Sequence, residues 1–265
     1  MNTPDNVCAP APVQRASNQA NGELVYAIGK IQPSFPTLNL EKQYEAAALS
    51  IKANPDEFYK VFSYQVTADN QPDLTYRPFL YLAQQATWVL TINLVDSYVL
   101  IPDTPTQLDA LIDTTNHLQD DYVMNGRLVG FDMPNSRADY MLPMVKVKHL
   151  INTADISIPV LADGQPANRQ LALPTLKPTT GLSGQDRAGN YFKSHFYQIV
   201  VGSDQQLLLE DVLAIHVQVQ DSEPTRQVYE FILSSSDRSR YACNIDVTNQ
   251  YPFVSSRLAP FAKSN

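Results

Sequence analysis

Apolar residues recur along the chain with two periods, and the alternation between them predicts its elements. Leu24-Val25-Tyr26-Ala27-Ile28 is a short apolar run closed by Gly29 and reads as a strand. Pro33 and Pro36 then bracket a turn. Leu40, Tyr44, Ala47, Ala48 and Ile51 fall at helical spacing behind a cap at Thr37 or Asn39, in a stretch that ends before Pro55. Phe79, Leu82, Ala83 and Ala86 mark a second helix entered through Pro78.

Residues 88–92 and 98–101 are nearly continuous β-branched and aromatic runs around Asn93-Leu94-Val95-Asp96, which predicts a hairpin buried on both faces. Thr104-Pro105-Thr106-Gln107 has the layout of a capping box with proline in the first turn, and Leu108, Leu111 and Ile112 supply the buried stripe. Two further strands are predicted near 126–132 and 144–151.

Periodicity fades between 152 and 190, where Pro159, Pro166, Pro174 and Pro178 alternate with Gly164, Gly181, Gly184 and Gly189. This stretch reads as a linker or as a loop laid across the surface. Order returns with a helix marked by Phe192, Phe196, Ile199 and Val200. Three alternating strands follow, with Leu213, Ile215, Val217 and Val219 on one side of the first and Ala214, His216, Gln218 and Gln220 on the other. Tyr229, Phe231 and Leu233 mark the second; Tyr241, Cys243, Ile245 and Val247 mark the third.

The expected fold class is α+β, with antiparallel sheets, helices packed on one face and two subdomains. The divisions are a flexible leader over 1–22, an α+β subdomain over 23–151, a Pro/Gly-rich connection over 152–190, and a helix with a three-stranded sheet over 191–265.

A net charge of −8 changes the picture, because a duplex binder offers clustered Lys and Arg and this chain does not. Lys146 and Lys148 alternate with Val145 and Val147, the pattern of an edge or half-exposed strand. No apolar run has the length of a membrane helix, and 1–21 lacks the apolar centre of a signal peptide. The expectation is a cytoplasmic protein without nucleic-acid or membrane partners. Cys8 and Cys243 have no metal or redox spacing and read as two free thiols.

Candidate chemistry is sparse. Phosphate loop, dinucleotide fingerprint and nucleophile elbow are all missing from the sequence. Asp113-Thr114-Thr115 lacks the glycine of an aspartic-protease triplet and lies in a helix. His117 belongs at a helix C-terminus, His149 in a strand and His195 beside the apolar face of the 192–200 helix. His216 and Cys243 are expected on opposite faces of their strands, which argues against a shared metal. Asp96, Asp103, Asp120, Asp121 and Asp132 read as turn and cap residues. No cofactor, metal or catalytic residue is expected.

Aromatic residues in turn-rich places give a different signal. Tyr76, Tyr140, Tyr191, Tyr251, Phe253 and Phe261 suit peptide or protein contact if exposed, or close small cores if not. Tyr76, Tyr140, Tyr251, Phe253 and Phe261 are the candidate contact residues.

Three blocks carry a family resemblance. The first is Val25-Tyr26-Ala27-Ile28-Gly29-Lys30-Ile31-Gln32-Pro33-Ser34-Phe35-Pro36 with Leu40-Glu41-Lys42-Gln43-Tyr44. The second is Leu82-Ala83-Gln84-Gln85-Ala86-Thr87-Trp88-Val89-Leu90-Thr91-Ile92 with Ser97-Tyr98-Val99-Leu100-Ile101-Pro102. The third runs from Asn244-Ile245-Asp246-Val247-Thr248-Asn249-Gln250-Tyr251-Pro252-Phe253-Val254 to Arg257-Leu258-Ala259-Pro260-Phe261. In this order they resemble the C-terminal accessory domain of patellamide-type cyanobactin maturation proteases, a domain of unknown function. The resemblance brings no catalytic residues, and these 265 residues hold no subtilisin-like segment. It implies a stand-alone, non-catalytic binding or scaffolding protein in the maturation of ribosomally made peptides, engaging a peptide or a peptide-modifying enzyme. A self-assembling structural protein and an enzyme with a carboxylate or histidine site are the alternatives.

Overall fold

A computed structural model describes residues 22–68, 71–135, 138–156, 176–201, 212–221 and 225–261. Cys8, the leader before Gly22 and the middle of the 152–190 stretch lie outside the described residues.

The N-terminal part is a closed five-stranded barrel. Its strands are β1 (Leu24–Ser34), β4 (Thr87–Ile92), β5 (Val95–Ile101), β6 (Tyr122–Asp132) and β7 (Leu142–Asn152), in the order β1-β4-β5-β7-β6. All the pairs are antiparallel except β5 with β7. Helix α4 (Pro105–Thr114) connects the third barrel strand to the fourth. Five strands in this order, with one parallel pair, have the Greek-key topology of an OB barrel.

β1 is longer than its apolar run predicts, passing through both Gly29 and Pro33. Its first half pairs with β6 and its second half with β4, with Pro33 opposite Trp88. The strand changes partner at Gly29 and Lys30, and a Cβ on Gly29 would lie 2.4 Å from the Thr91 carbonyl oxygen. Glycine therefore allows the close crossing that closes the barrel.

The β4–β5 hairpin turns on Asn93 and Leu94, both at positive φ (49° and 68°). Trp88, Leu90, Tyr98 and Leu100 fill the main core, while Val89 and Val99 pack with Leu142 in a separate cluster. Both faces are buried, as the continuous runs predict. The α4 capping box is also present, with the Thr104 hydroxyl accepting from the Gln107 amide at 3.2 Å.

Between β1 and β4 lie α1 (Leu38–Ser50), α2 (Phe58–Phe62), the hairpin β2 (Val66–Ala68) and β3 (Gln71–Tyr76), and α3 (Leu80–Gln85). Thr37 caps α1 through its hydroxyl. Neither α2 nor the small hairpin was legible in the sequence, because each is too short to show a period. An aromatic chain of Phe35, Tyr44, Phe58, Phe62 and Trp88 joins these helices to the barrel. Burial of each large ring contributes about 2 kcal/mol, and the Trp88 indole donates to the Ala83 carbonyl at 3.1 Å.

The C-terminal part is a sheet of β8 (Val212–Asp221), β9 (Val228–Ser235), β10 (Arg240–Asp246) and β11 (Phe253–Pro260), covered on one face by α5 (Gly184–Val201). The expected three strands are thus four. Two register shifts around Asn244 disturb the pairing of β11 with β10, so its inward residues Val254 and Leu258 fall four apart and the alternation is lost. The helix begins seven residues before the predicted start, at Gly184, because the Ser183 hydroxyl accepts the Asp186 amide and caps it. Gly184 and Gly189 lie inside the helix, although in the sequence they read as loop signals.

The segment 176–183 lies along the free edge of the first half of β1. Tyr26 donates its amide to the Gly181 carbonyl at 3.1 Å. The Tyr98 hydroxyl donates to the Thr180 carbonyl at 2.6 Å, and Asn93 donates to that of Pro178 at 2.9 Å. Gly181 has φ +70°, and a Cβ there would meet the Tyr26 carbonyl oxygen at 2.0 Å. This end of the proline-rich connection is a strap across the barrel, held through its main-chain carbonyls by bonds that composition does not reveal.

Candidate functional site

Helix α5 turns Ala188, Phe192, Phe196 and Val200 toward the sheet, at the spacing of one helix face. Phe192 stacks on Phe231 with centroids 4.3 Å apart and planes 8° apart. Tyr191, His195 and Gln198 occupy the neighbouring flank, three and four residues apart. They face β11 across a groove of about 240 Å³, whose other wall is Val254, Arg257 and Leu258.

The groove is ordered by ring stacking. Tyr191 and His195 lie 4.1 Å apart at 15°, and the Tyr191 ring also packs on Tyr26 of the barrel at 5.8 Å. Burial raises the Tyr191 pKa, and the Val254 main-chain amide facing its hydroxyl works against the rise. Burial lowers the His195 pKa and favours neutral imidazole, with the Tyr191 carbonyl opposing.

Among the described residues β11 has β10 as its one neighbour in the sheet, so the main-chain groups of its outer side are left unpaired by the ladder. Arg257 lies within it, Pro260 ends it and two register shifts interrupt its pairing with β10. β8 is the opposite edge.

The five sequence-predicted contact residues do not form one patch. Tyr76 ends β3 and is 51% exposed. Tyr140 is 45% exposed, and its hydroxyl donates to Asp96 at the far end of β5, 3.2 Å away. Tyr251 is half-buried with the Lys148 ammonium 5.3 Å from its ring centroid and its hydroxyl enclosed without a partner. Phe253, 40% exposed, opens β11, and the half-buried Phe261 follows its end. Only Phe253 and Phe261 adjoin the strand that walls the groove. Tyr191, His195 and Gln198 carry the other wall, and the signal for them was the polar flank of α5 at positions 191, 195 and 198.

The histidine and thiol readings separate cleanly. His117, His149 and His216 are exposed, while Cys243 is buried with its thiol pKa pushed up to about 12 by desolvation. Among the described residues no group of three His, Cys, Asp or Glu side chains is placed to hold a metal. No helix among them is long and apolar enough to cross a membrane.

Ser194 and His195 form a pair, with Oγ 2.9 Å from Nδ1 and 3.2 Å from the Tyr26 hydroxyl. The Tyr191 carbonyl is 3.2 Å from the same Nδ1 and 3.0 Å from the Ser194 Oγ. An Nδ1–H donating to that carbonyl is not a base toward serine.

Two other cavities lie near the barrel. One of about 400 Å³ sits at its mouth, between Phe35, Tyr44 and Phe58 and the carboxylates of Glu41 and Glu45. A larger one of about 670 Å³ opens between β6 and the start of α5.

Comparison with known proteins agrees with this architecture. A solved structure described as "PatG Domain of Unknown Function" superposes with a TM-score of 0.61 at 16% identity, covering 91% of this chain and 99% of that one. At that identity the likeness concerns the fold, and it takes in the C-terminal sheet as well as the barrel. No curated protein matches the chain. The model of the PatG Domain family matches residues 24–159, just over half of the chain and all of the barrel strands. The chain belongs to the PatG domain family, the match taking in its strand and hairpin blocks.

Proposed function

We propose that this protein is a non-catalytic accessory protein in the maturation of ribosomally made peptides, and that it holds an extended peptide segment along β11. The observation that carries this reading is the groove between an edge strand and a helix. Added main-chain bonds to β11 would provide affinity, and alternate side chains of the guest would enter between Tyr191, His195, Val254 and Leu258. Stacked rings offer large contact area at small entropic cost. The acidic balance of the chain favours such a partner over a polyanion on the barrel, whatever OB topology does elsewhere.

The test is a titration of the full chain with precursor peptides, followed by backbone NMR of β11 and α5. Saturable binding that shifts residues 253–260 and is lost when alternate guest amides are N-methylated is expected. Silence toward every precursor, or shifts elsewhere with β11 unmoved, would remove the reading.

A further inference from the structure

The cavity between the barrel and the start of α5 is lined by two arginines from different parts of the fold. Arg127 projects from β6 and donates to the Gly22 carbonyl at 3.0 Å. Arg187 lies in the first turn of α5 and donates to the Leu182 and Val247 carbonyls at 2.7 and 3.2 Å. Among the described residues neither guanidinium has a carboxylate within ion-pair distance. The Arg187 Nε is enclosed without a hydrogen-bond partner.

That arrangement is costly in a chain of net charge −8, where carboxylates outnumber cations and partners are abundant. Carbonyl oxygens satisfy N–H groups, and Glu23 and Asp186 act on the half-buried Arg187 only from beyond ion-pair distance, so burial still lowers its pKa. Glu23, the one carboxylate in the lining, remains exposed. The other walls, Ser183, Gln227 and Asn249, are polar, and the positive end of the 18-residue α5 opens at Gly184. Two guanidiniums, each with a forked donor set, suit a planar or tetrahedral oxyanion.

We infer that this cavity binds an oxyanion, either a carboxylate or a phosphate, through Arg127 and Arg187. The site is distinct from the β11 groove and does not depend on it. An anion there ties the barrel to α5 and offsets the charge that the carbonyls leave.

The experiment is calorimetric titration of the full chain at low salt with three probes: inorganic phosphate, acetylated trialanine with a free C-terminal carboxylate, and its C-terminal amide. Saturable binding of phosphate or the free acid, with the amide silent, is expected. Response to the tripeptide acid alone identifies a chain terminus, and response to phosphate alone identifies a phosphate ester. Arg127→Gln, at an exposed position, is expected to weaken binding about tenfold or more, while Arg238→Gln in the β9–β10 turn binds as the parent does. No saturable response to either anion would overturn the inference. So would undiminished binding by Arg127→Gln, or an equal loss in Arg238→Gln.

Discussion

Asn190 donates its side-chain amide to the main-chain carbonyl of Tyr26 at 2.8 Å, a bond between α5 and β1 across 164 positions of sequence. The same amide donates to the Thr179 carbonyl at 3.0 Å, and its oxygen accepts from the Thr179 amide and hydroxyl. One buried side chain thus uses its full donor and acceptor capacity to fasten the C-terminal helix, the strap and the barrel together.

Replacing it with an isosteric apolar residue, Asn190→Leu, orphans several main-chain groups at once. The buried Tyr26 carbonyl costs about 1–3 kcal/mol when orphaned, and the half-buried Thr179 groups add to it, so a loss of about 2 kcal/mol or more is expected in urea unfolding. Trp88, the single tryptophan, lies in the barrel core and reports that part alone. Its fluorescence transition should separate from the far-ultraviolet circular dichroism transition in the variant. Coincident transitions at the parental midpoint would show that Asn190 does not couple the two parts.

Leu94 invites the opposite kind of change. It is 93% exposed and sits at φ 68° in the β4–β5 turn, after Asn93 at φ 49°. Two positive φ values in a two-residue hairpin loop suit asparagine followed by glycine, whereas a branched side chain is strained there. Leu94→Gly is expected to stabilise the protein by about 1 kcal/mol, raising Tm by roughly 2–4 °C for a chain of this size. A lower Tm in differential scanning would count against the strain.

These two positions show what the sequence could and could not reveal. The hairpin was legible because 88–92 and 98–101 are apolar on both faces, and the α4 start because a capping box is local chemistry. β1 was cut short because Gly29 and Pro33 break a propensity argument, while the tertiary partners β4 and β6 require their geometry. Asn190 gave no signal and Gly181 read only as a loop glycine, since their partners lie far away in sequence. The candidate groove was half legible. An aromatic C-terminal stretch was visible, but β11 as an edge strand and Tyr191 opposite it depend on how α5 crosses the sheet.

Cys243 should behave as a small apolar side chain. It is buried opposite Phe231 in the β9–β10 pair, and desolvation pushes its thiol pKa up to about 12. In a Cys8→Ser background, Ellman's reagent at pH 8 is expected to find no fast-reacting thiol in the folded protein and one equivalent in denaturant. Rapid reaction of the native form would place the thiol at the surface.

His195 makes stability depend on pH in a stated direction. Burial holds its pKa below the ordinary value of 6.5, so the unfolded chain takes up a proton before the folded one does. Proton uptake by the unfolded state lowers stability, and the neutral imidazole's contribution is complete above about pH 6.5. It is lost progressively as pH falls from there through the lower folded-state value. Among the groups facing the ring, the Tyr191 carbonyl opposes this shift and burial outweighs it. Tyr191 stacks on it and Ser194 contacts its Nδ1, both uncharged, and Arg257 is the charged side chain in the opposite wall. Urea midpoints of the parent are therefore expected to drop between pH 7.5 and 5.5 by more than those of His195→Gln, which has no ionisable ring. Carboxylates contribute equally to both proteins, so the difference isolates the histidine. If the two midpoints fall in parallel, the imidazole is hydrated in the folded state, and the groove wall between α5 and β11 is more open than the stacked pair implies.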